Sequence, residues 1–154
     1  MFERKIVMVP GPVNYEPSVL RELTMPTPSH MSMEFAKVFK EVLYKLRELL
    51  NVDGKVVVLA GGGTLAMEAA SANVLSKDSK VLIISTGVFG DRFADLLQSF
   101  GLNVHKLSCN WGEAANLDAI KARLEEDFDA FFITHIDTST SVMNDVEKLC
   151  RLAK

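Results

Sequence analysis

The sequence predicts an α/β fold, a mostly parallel sheet flanked by helices, and three observations predict it. From Lys55 onward, short runs of Val, Ile, Leu and Phe alternate with longer segments at helical spacing, the signature of strand and helix units sharing one layer. The runs Lys80–Ser85 and Ala130–Thr134 are apolar without a polar alternation, as strands covered on both faces are. The junctions where an apolar run meets a helical segment are rich in glycine, hydroxyl and aromatic residues.

Taken in order, Lys5–Val9 is a short strand-like run broken at Pro10-Gly11-Pro12. Residues 10–32 hold all five prolines and no periodicity, so residues 1–32 read as an extended N-terminal arm. Residues 33–50 are the clearest helix. Phe35, Val38, Phe39, Val42, Leu43, Leu46, Leu49 and Leu50 recur at three- and four-residue spacing, and Asn51 and Gly54 are stop signals. The alternation then runs strand Lys55–Ala60, helix Thr64–Leu75, strand Lys80–Ser85, and helix Phe89–Phe100 closed by Gly101. It continues with strand Asn103–Leu107, helix Leu117–Glu126, strand Ala130–Thr134 and a last helix from Val146. There is no internal repeat. Residues 33–154 read as part of one α/β domain.

Bulk properties exclude several function classes. With 154 residues, 48% of them hydrophobic, the chain can bury a real core. A net charge of −3 gives no basic excess for nucleic acid. No apolar run reaches the ~20 residues needed to cross a bilayer, and Met1-Phe2-Glu3-Arg4-Lys5 lacks the apolar core of a signal peptide. Cys109 and Cys150 stand far apart in no metal-like spacing. They read as two unreactive thiols in a reducing cytoplasm.

In sheets of this kind ligands sit outside the carboxyl ends of the strands. Three turns are expected there: Gly61-Gly62-Gly63-Thr64, Thr86-Gly87-Val88-Phe89-Gly90, and His135-Ile136-Asp137-Thr138-Ser139-Thr140. Free N–H groups and the positive end of the helix dipole make the glycine turn before Thr64 an anion site. Phe89, at the next helix start, can cover a flat ring held by that anion. Such a pairing suits pyridoxal phosphate better than a nucleotide. Gly61, Gly63 and Ala66 fit the dinucleotide fingerprint only loosely, and the acid it needs is missing where the second strand ends Ile83-Ile84-Ser85-Thr86. No Gly-Lys-Ser/Thr of a phosphate loop occurs. Each element also has a plain structural reading: Gly61–Gly63 as a tight connection, Phe89 as a core aromatic, Trp111 as a loop residue packed on the domain. His135 with Asp137 makes no metal site, since two ligands are too few, and reads as a hydrogen-bonded strand end.

Six segments in order resemble the N-terminal half of class V aminotransferases, in the serine–pyruvate and alanine–glyoxylate branch. Pro10-Gly11-Pro12-Val13-Asn14 is similar to the family's Pro-Gly-Pro-x-Asn arm, and Ser29-His30-Met31-Ser32-Met33-Glu34-Phe35 to its His-Arg-Ser-x-Glu-Phe segment. Gly61–Ala70 resembles Gly-Ser-Gly-Thr-x-Ala-Met-Glu-Ala-Ala, and Phe89-Gly90-Asp91-Arg92 the aromatic-Gly-Asp-Arg turn. Trp111-Gly112-Glu113 is similar to a Trp-Gly-Glu of many members, and His135–Val142 to His-x-Glu-Thr-Ser-Thr-Gly-Val.

The resemblance implies the large domain of fold-type I pyridoxal-phosphate enzymes. It implies a transferase moving an amino group between a small amino acid and a 2-oxo acid. Gly62, Gly63 and Thr64 would hold the cofactor phosphate, Phe89 would stack on the pyridine ring, and Thr138 would bond near the ring edge. Gly11 and Asn14 would lie near the substrate. A homodimer, or association with a missing C-terminal half, is implied as well. The sequence departs from the pattern at Gly62 (usually Ser), Met31 (Arg), Asp137 (Glu) and Ser141 (Gly). In the family the Schiff-base lysine, the Asp at the pyridine nitrogen and the substrate-binding Arg all come after the position of Lys154. No catalytic residue is therefore expected among residues 1–154, and the expectation is an N-terminal fragment that binds the cofactor weakly and is inactive alone. A non-catalytic remnant and a phosphate-binding α/β module are the alternatives.

Overall fold

The computed structural model describes residues 6–153, so the first residue of the Lys5–Val9 run lies outside it. The chain divides into two compact units, Met1–Ala60 and Gly61–Lys154.

Among the described residues the first unit holds two helices. α1 (Pro17–Leu23) lies within the proline-rich stretch that reads as extended. Pro17 opens it at a first-turn position, where proline's fixed φ suits a helix and its missing N–H costs nothing. α2 (Met33–Leu50) has the predicted bounds. The Ser32 hydroxyl accepts the Phe35 N–H at 3.1 Å, and Asn51 closes the helix in the left-handed region at φ 50°. None of its residues is buried.

Two expected strands are not formed among the described residues. Described residues 6–9 take no strand conformation, and neither does 55–60. The Val-Val-Val-Leu run has strand propensity, but a strand exists only where another strand receives its N–H and C=O groups. No described residue pairs with this run, and Val57, Val58 and Leu59 are all more than half exposed.

The second unit is the predicted α/β layer. It runs α3 (Gly63–Val74), β1 (Lys80–Ser85), α4 (Val88–Ser99), β2 (Asn103–Ser108), α5 (Leu117–Leu124) and β3 (Ala130–Ile133). A hairpin of β4 (Ile136–Asp137) and β5 (Val142–Met143) follows, then α6 (Val146–Leu152). The sheet order is β2-β1-β3, all parallel, with Leu82 level with His105 on one side and Phe131 on the other. Central β1 explains the unbroken apolar run. Val81 and Ile83 meet Phe93, Ala94 and Leu97 of α4, while Leu82 and Ile84 meet Ile120 of α5 and Leu149 of α6. All four β1 side chains are at most 1% exposed. Burying each is worth about 1.5–3 kcal/mol. The hairpin β4–β5 was not legible as strand pairing, since each arm is two residues long.

Helix α4 lies close on the carboxyl end of β1. A Cβ added at Gly90 would stand 2.6 Å from the Ser85 Cα and 2.8 Å from its Oγ. The Ser85 hydroxyl lies 2.8 Å from the Asp91 carboxylate, which also pairs with Lys106 of β2 at 3.0 Å. The Ser85 hydroxyl first, and then the Lys106 ammonium, hold the Asp91 carboxyl below its usual range.

Gly90→Ala is expected to destabilise the protein by about 1–3 kcal/mol, because backbone on β1 must shift. Thermal melting checks it, with Gly54→Ala, where a Cβ meets nothing within 4 Å, as the control. Asp91 supplies a pH prediction. Its carboxyl is lowered in the folded state, so its contribution is complete above the ordinary carboxylate pKa of about 3.9. That contribution is lost as pH falls through the lower folded value. The stability gap between wild type and Asp91→Asn is expected to shrink on acidification from neutral pH, measured by denaturant midpoints across the acid range.

Candidate functional site

Because β2 and β3 flank β1 on opposite sides, the connections leave the sheet in opposite directions at the β1–β3 seam. The crevice outside the carboxyl ends at such a reversal is where open α/β sheets take ligands. Two of the three expected turns meet there: Thr86–Gly90 after β1 and His135–Thr140 after β3.

They meet through one carboxylate. Asp137 is fully buried. Its Oδ2 accepts the N–H groups of Phe89 at 3.1 Å and Gly90 at 3.4 Å. Its Oδ1 accepts the Ser139 N–H at 3.1 Å and the Ser139 hydroxyl at 2.6 Å. The Ser139 Oγ in turn accepts the Val88 N–H at 3.0 Å. The first three N–H groups of α4, which no helix can satisfy internally, are thus all taken by the hairpin. A carboxylate is the favoured acceptor at this positive helix end.

Further bonds fix the two turns together. The Thr140 hydroxyl donates to the Thr86 carbonyl at 2.9 Å. Buried Asn144 donates from Nδ2 to the Thr86 hydroxyl at 3.1 Å and the Thr134 carbonyl at 2.8 Å, and accepts the Ala115 N–H at 3.0 Å. Gly87 is where the hairpin passes closest: a Cβ there would stand 2.5 Å from the Ser139 Oγ and 2.6 Å from the Asp137 Cγ. Ser141 takes φ 59° in the hairpin turn, the left-handed conformation that glycine adopts at least cost. This gives a physical reason for the glycine that the resembled pattern carries there.

The helix start at Gly61–Thr64 is different. α3 begins at Gly63 with Gly62 as its N-cap, and no side chain caps it. Among the described residues, no acceptor is found for the N–H groups of Gly63, Thr64 and Leu65, while the Ala66 N–H bonds back to the Gly62 carbonyl. A Cβ at Gly62 or Gly63 would meet nothing within 4 Å, so packing does not demand glycine at either.

Phe89 is half-buried and belongs to neither core cluster, unlike Phe93 one turn later. The Arg92 guanidinium carbon lies 5.1 Å from its ring centre. Thr138 is exposed at the hairpin turn, next to the Asp137 that bonds the Phe89 N–H. Gly62, Gly63 and Thr64 stand on α3, which packs beside α4. Gly11 and Asn14 belong to the first unit, where both are exposed. Trp111 does not pack on the domain as expected but is 67% exposed. His135 and Asp137 form no metal pair: His135 is exposed, Asp137 is engaged with α4, and no cluster of metal-ligating side chains occurs among the described residues. Cys109 is half-buried, and burial pushes its thiol up, in keeping with an unreactive cysteine.

Sequence reasoning missed Ser139 and Asn144 as parts of this junction. Short polar residues such as Thr138–Ser141 and Asn144 are the signal that was available. Ser139 bonds Val88, 51 residues back, and Asn144 reaches Thr86, 58 residues back, and composition does not encode such partners.

A sequence profile of the aminotransferase class-V family matches residues 19–154. An uncharacterized aminotransferase of Methanocaldococcus jannaschii is 29% identical over 98% of this chain and 40% of its own length. Alanine–glyoxylate aminotransferase 1 of Saccharomyces cerevisiae is 35% identical over 96% of this chain and 41% of its own. The crystal structure of an aspartate aminotransferase from Thermus thermophilus superposes with a TM-score of 0.88 at 30% identity, covering 97% of this chain and 42% of that one. The chain thus spans about 40% of the length of these relatives.

Proposed function

The chain belongs to the class-V aminotransferase family, and on that premise we propose that it serves the transfer of an amino group between a small amino acid and a 2-oxo acid, with pyridoxal phosphate as cofactor. One contrast supports this reading. The N–H groups that open α4 are filled by Asp137 and Ser139, while those that open α3 have no acceptor among the described residues, and an added Cβ at Gly62 or Gly63 meets nothing within 4 Å. An unfilled, positively polarised helix start that no side chain caps fits a phosphate.

In this reading the backbone of Gly62, Gly63 and Thr64 and the Thr64 hydroxyl hold the phosphate. Phe89 offers the ring a stacking face, and Thr138 a hydroxyl at its edge. Gly11 and Asn14 are the substrate-binding residues that the family resemblance implies. When bound, pyridoxal phosphate supplies the electron sink for charge developing on the amino acid. The chain's own residues bind and orient it. The substrate class follows the alanine–glyoxylate relative. None of the lysines of residues 1–154 stands in the family's Schiff-base context. Lys80 is paired with Glu126 and Lys106 with Asp91. We place the protein in the cytoplasm on its free cysteines.

The titration that tests this reading uses inorganic phosphate and pyridoxal phosphate as probes. Gly63→Val adds a branched side chain at the proposed anion site, where an added Cβ meets nothing within 4 Å. It is expected to weaken both probes by roughly tenfold, about the 1–2 kcal/mol that a helix start gives an anion. Phe89→Ala is expected to weaken only pyridoxal phosphate, by about 0.5–1.5 kcal/mol. Unchanged affinities in Gly63→Val overturn the cofactor site. Equal affinity of wild type for both probes favours a phosphate-binding module instead.

A second copy of the chain, or of its family, is the proposed partner. Along α2, Val38, Phe39, Val42, Leu49 and Leu50 are each more than a third exposed, an apolar stripe of the kind that marks an interface. Light scattering across a concentration series is expected to show a dimer or larger species, and a monomer throughout would refute it.

A further inference from the structure

We propose that Asp137 is a positioning residue for ring recognition: by holding the β4–β5 hairpin on the first turn of α4, it fixes Thr138 relative to Phe89. The inference rests on the reading that these two residues face the pyridoxal ring.

Asp137 is 0% exposed and has no cationic partner among the described residues. Burying an unpaired carboxylate is costly unless hydrogen bonds and dipoles replace water. Here they do, through four donors and a helix N-terminus. Capping a helix does not require this arrangement, since a serine or asparagine at the N-cap serves at far lower desolvation cost. Asp137 does what a local cap cannot. Its two oxygens divide between two segments, Oδ2 on the backbone of Phe89, 48 residues before Asp137, and Oδ1 on Ser139, two residues after it.

The hairpin needs that anchor. Arms of two residues have no stability of their own, so its place is set by what it touches. Those contacts are the Asp137 bonds, the Val88 N–H to Ser139, the Thr140 hydroxyl to Thr86, and Asn144. Gly87 removes the one side chain that would block the approach. Thr138 follows Asp137 directly and is exposed, so its hydroxyl is available to a ligand while the side chain of its neighbour holds the Phe89 N–H.

The test uses the full 154-residue chain and the same two probes. The readout is the ratio of pyridoxal phosphate affinity to inorganic phosphate affinity, because the phosphate contacts on α3 do not involve Asp137. Asp137→Ala is expected to lower that ratio roughly two- to tenfold, the loss of a ring contact, and to leave the phosphate affinity in place. Asp137→Asn keeps the shape and one acceptor oxygen and is expected to fall between. Amide exchange at Phe89 and Gly90 is expected to rise in the same order. A folded Asp137→Ala that keeps the wild-type ratio overturns the proposal, as does one that loses both affinities equally, which marks a purely structural residue. If Asp137→Ala does not fold, the ratio in Asp137→Asn decides by the same criteria. A wild type with no preference for pyridoxal phosphate overturns the cofactor reading, and the positioning role with it. A wild-type preference that survives in the variants overturns the positioning role alone.

Discussion

The second unit depends on a buried carboxylate at the start of a helix. Asp137 sits in the seam between the turns that follow β1 and β3, with no exposure to solvent. It satisfies two of the orphan N–H groups of α4, and Ser139, which it holds, satisfies a third. Removing such an acceptor leaves buried donors without partners, a cost of about 1–3 kcal/mol. The same bonds close the crevice that would otherwise be the natural anion site of α4. The chain therefore carries two helix starts of opposite character. One is filled by the protein, and the other is uncapped by any side chain.

That difference follows from side-chain reach. The α4 start lies at the carboxyl end of the central strand, beside β3, so the residues after β3 fall within hydrogen-bond distance. They are short and polar, and glycine at positions 87 and 90 lets backbone and side chains close in. The α3 start has glycine at positions 61–63 and no packed neighbour at two of them. Packing explains Gly87 and Gly90, whereas at Gly62 and Gly63 it does not. At Gly62, the N-cap of α3, glycine is one of the residues preferred for that position.

The two units differ in how they hold their apolar residues. In the second, β1 is covered on both faces, and the buried side chains gather in two clusters, one on each side of the sheet. In the first, α2 buries none of its residues, and Val57–Leu59 are strand-like in sequence yet unpaired. Apolar surface of this extent is what a chain retains when partners complete it. The relatives, more than twice as long, show that this segment is found as part of larger assemblies of secondary structure.

By itself the sequence determined what is local or periodic. The bounds of α2 and β1 were legible because an eighteen-residue amphipathic period and an unbroken apolar run each allow few alternatives. The order of alternating helices and strands was legible for the same reason, and the six ordered motifs carried the family. Tertiary structure decided what depends on partners distant in the chain. Lys55–Ala60 has the composition of a strand, but no described strand pairs with it. Ile136–Asp137 is too short to announce itself, yet becomes β4 because Val142–Met143 folds back on it. Asp137 reads in sequence as a hydrogen-bonded strand end, and the structure adds what it bonds: the start of a helix that begins forty-nine residues earlier. Propensity and period act within one turn of the chain, whereas a hydrogen bond to a helix start is set by where the sheet brings the two ends together.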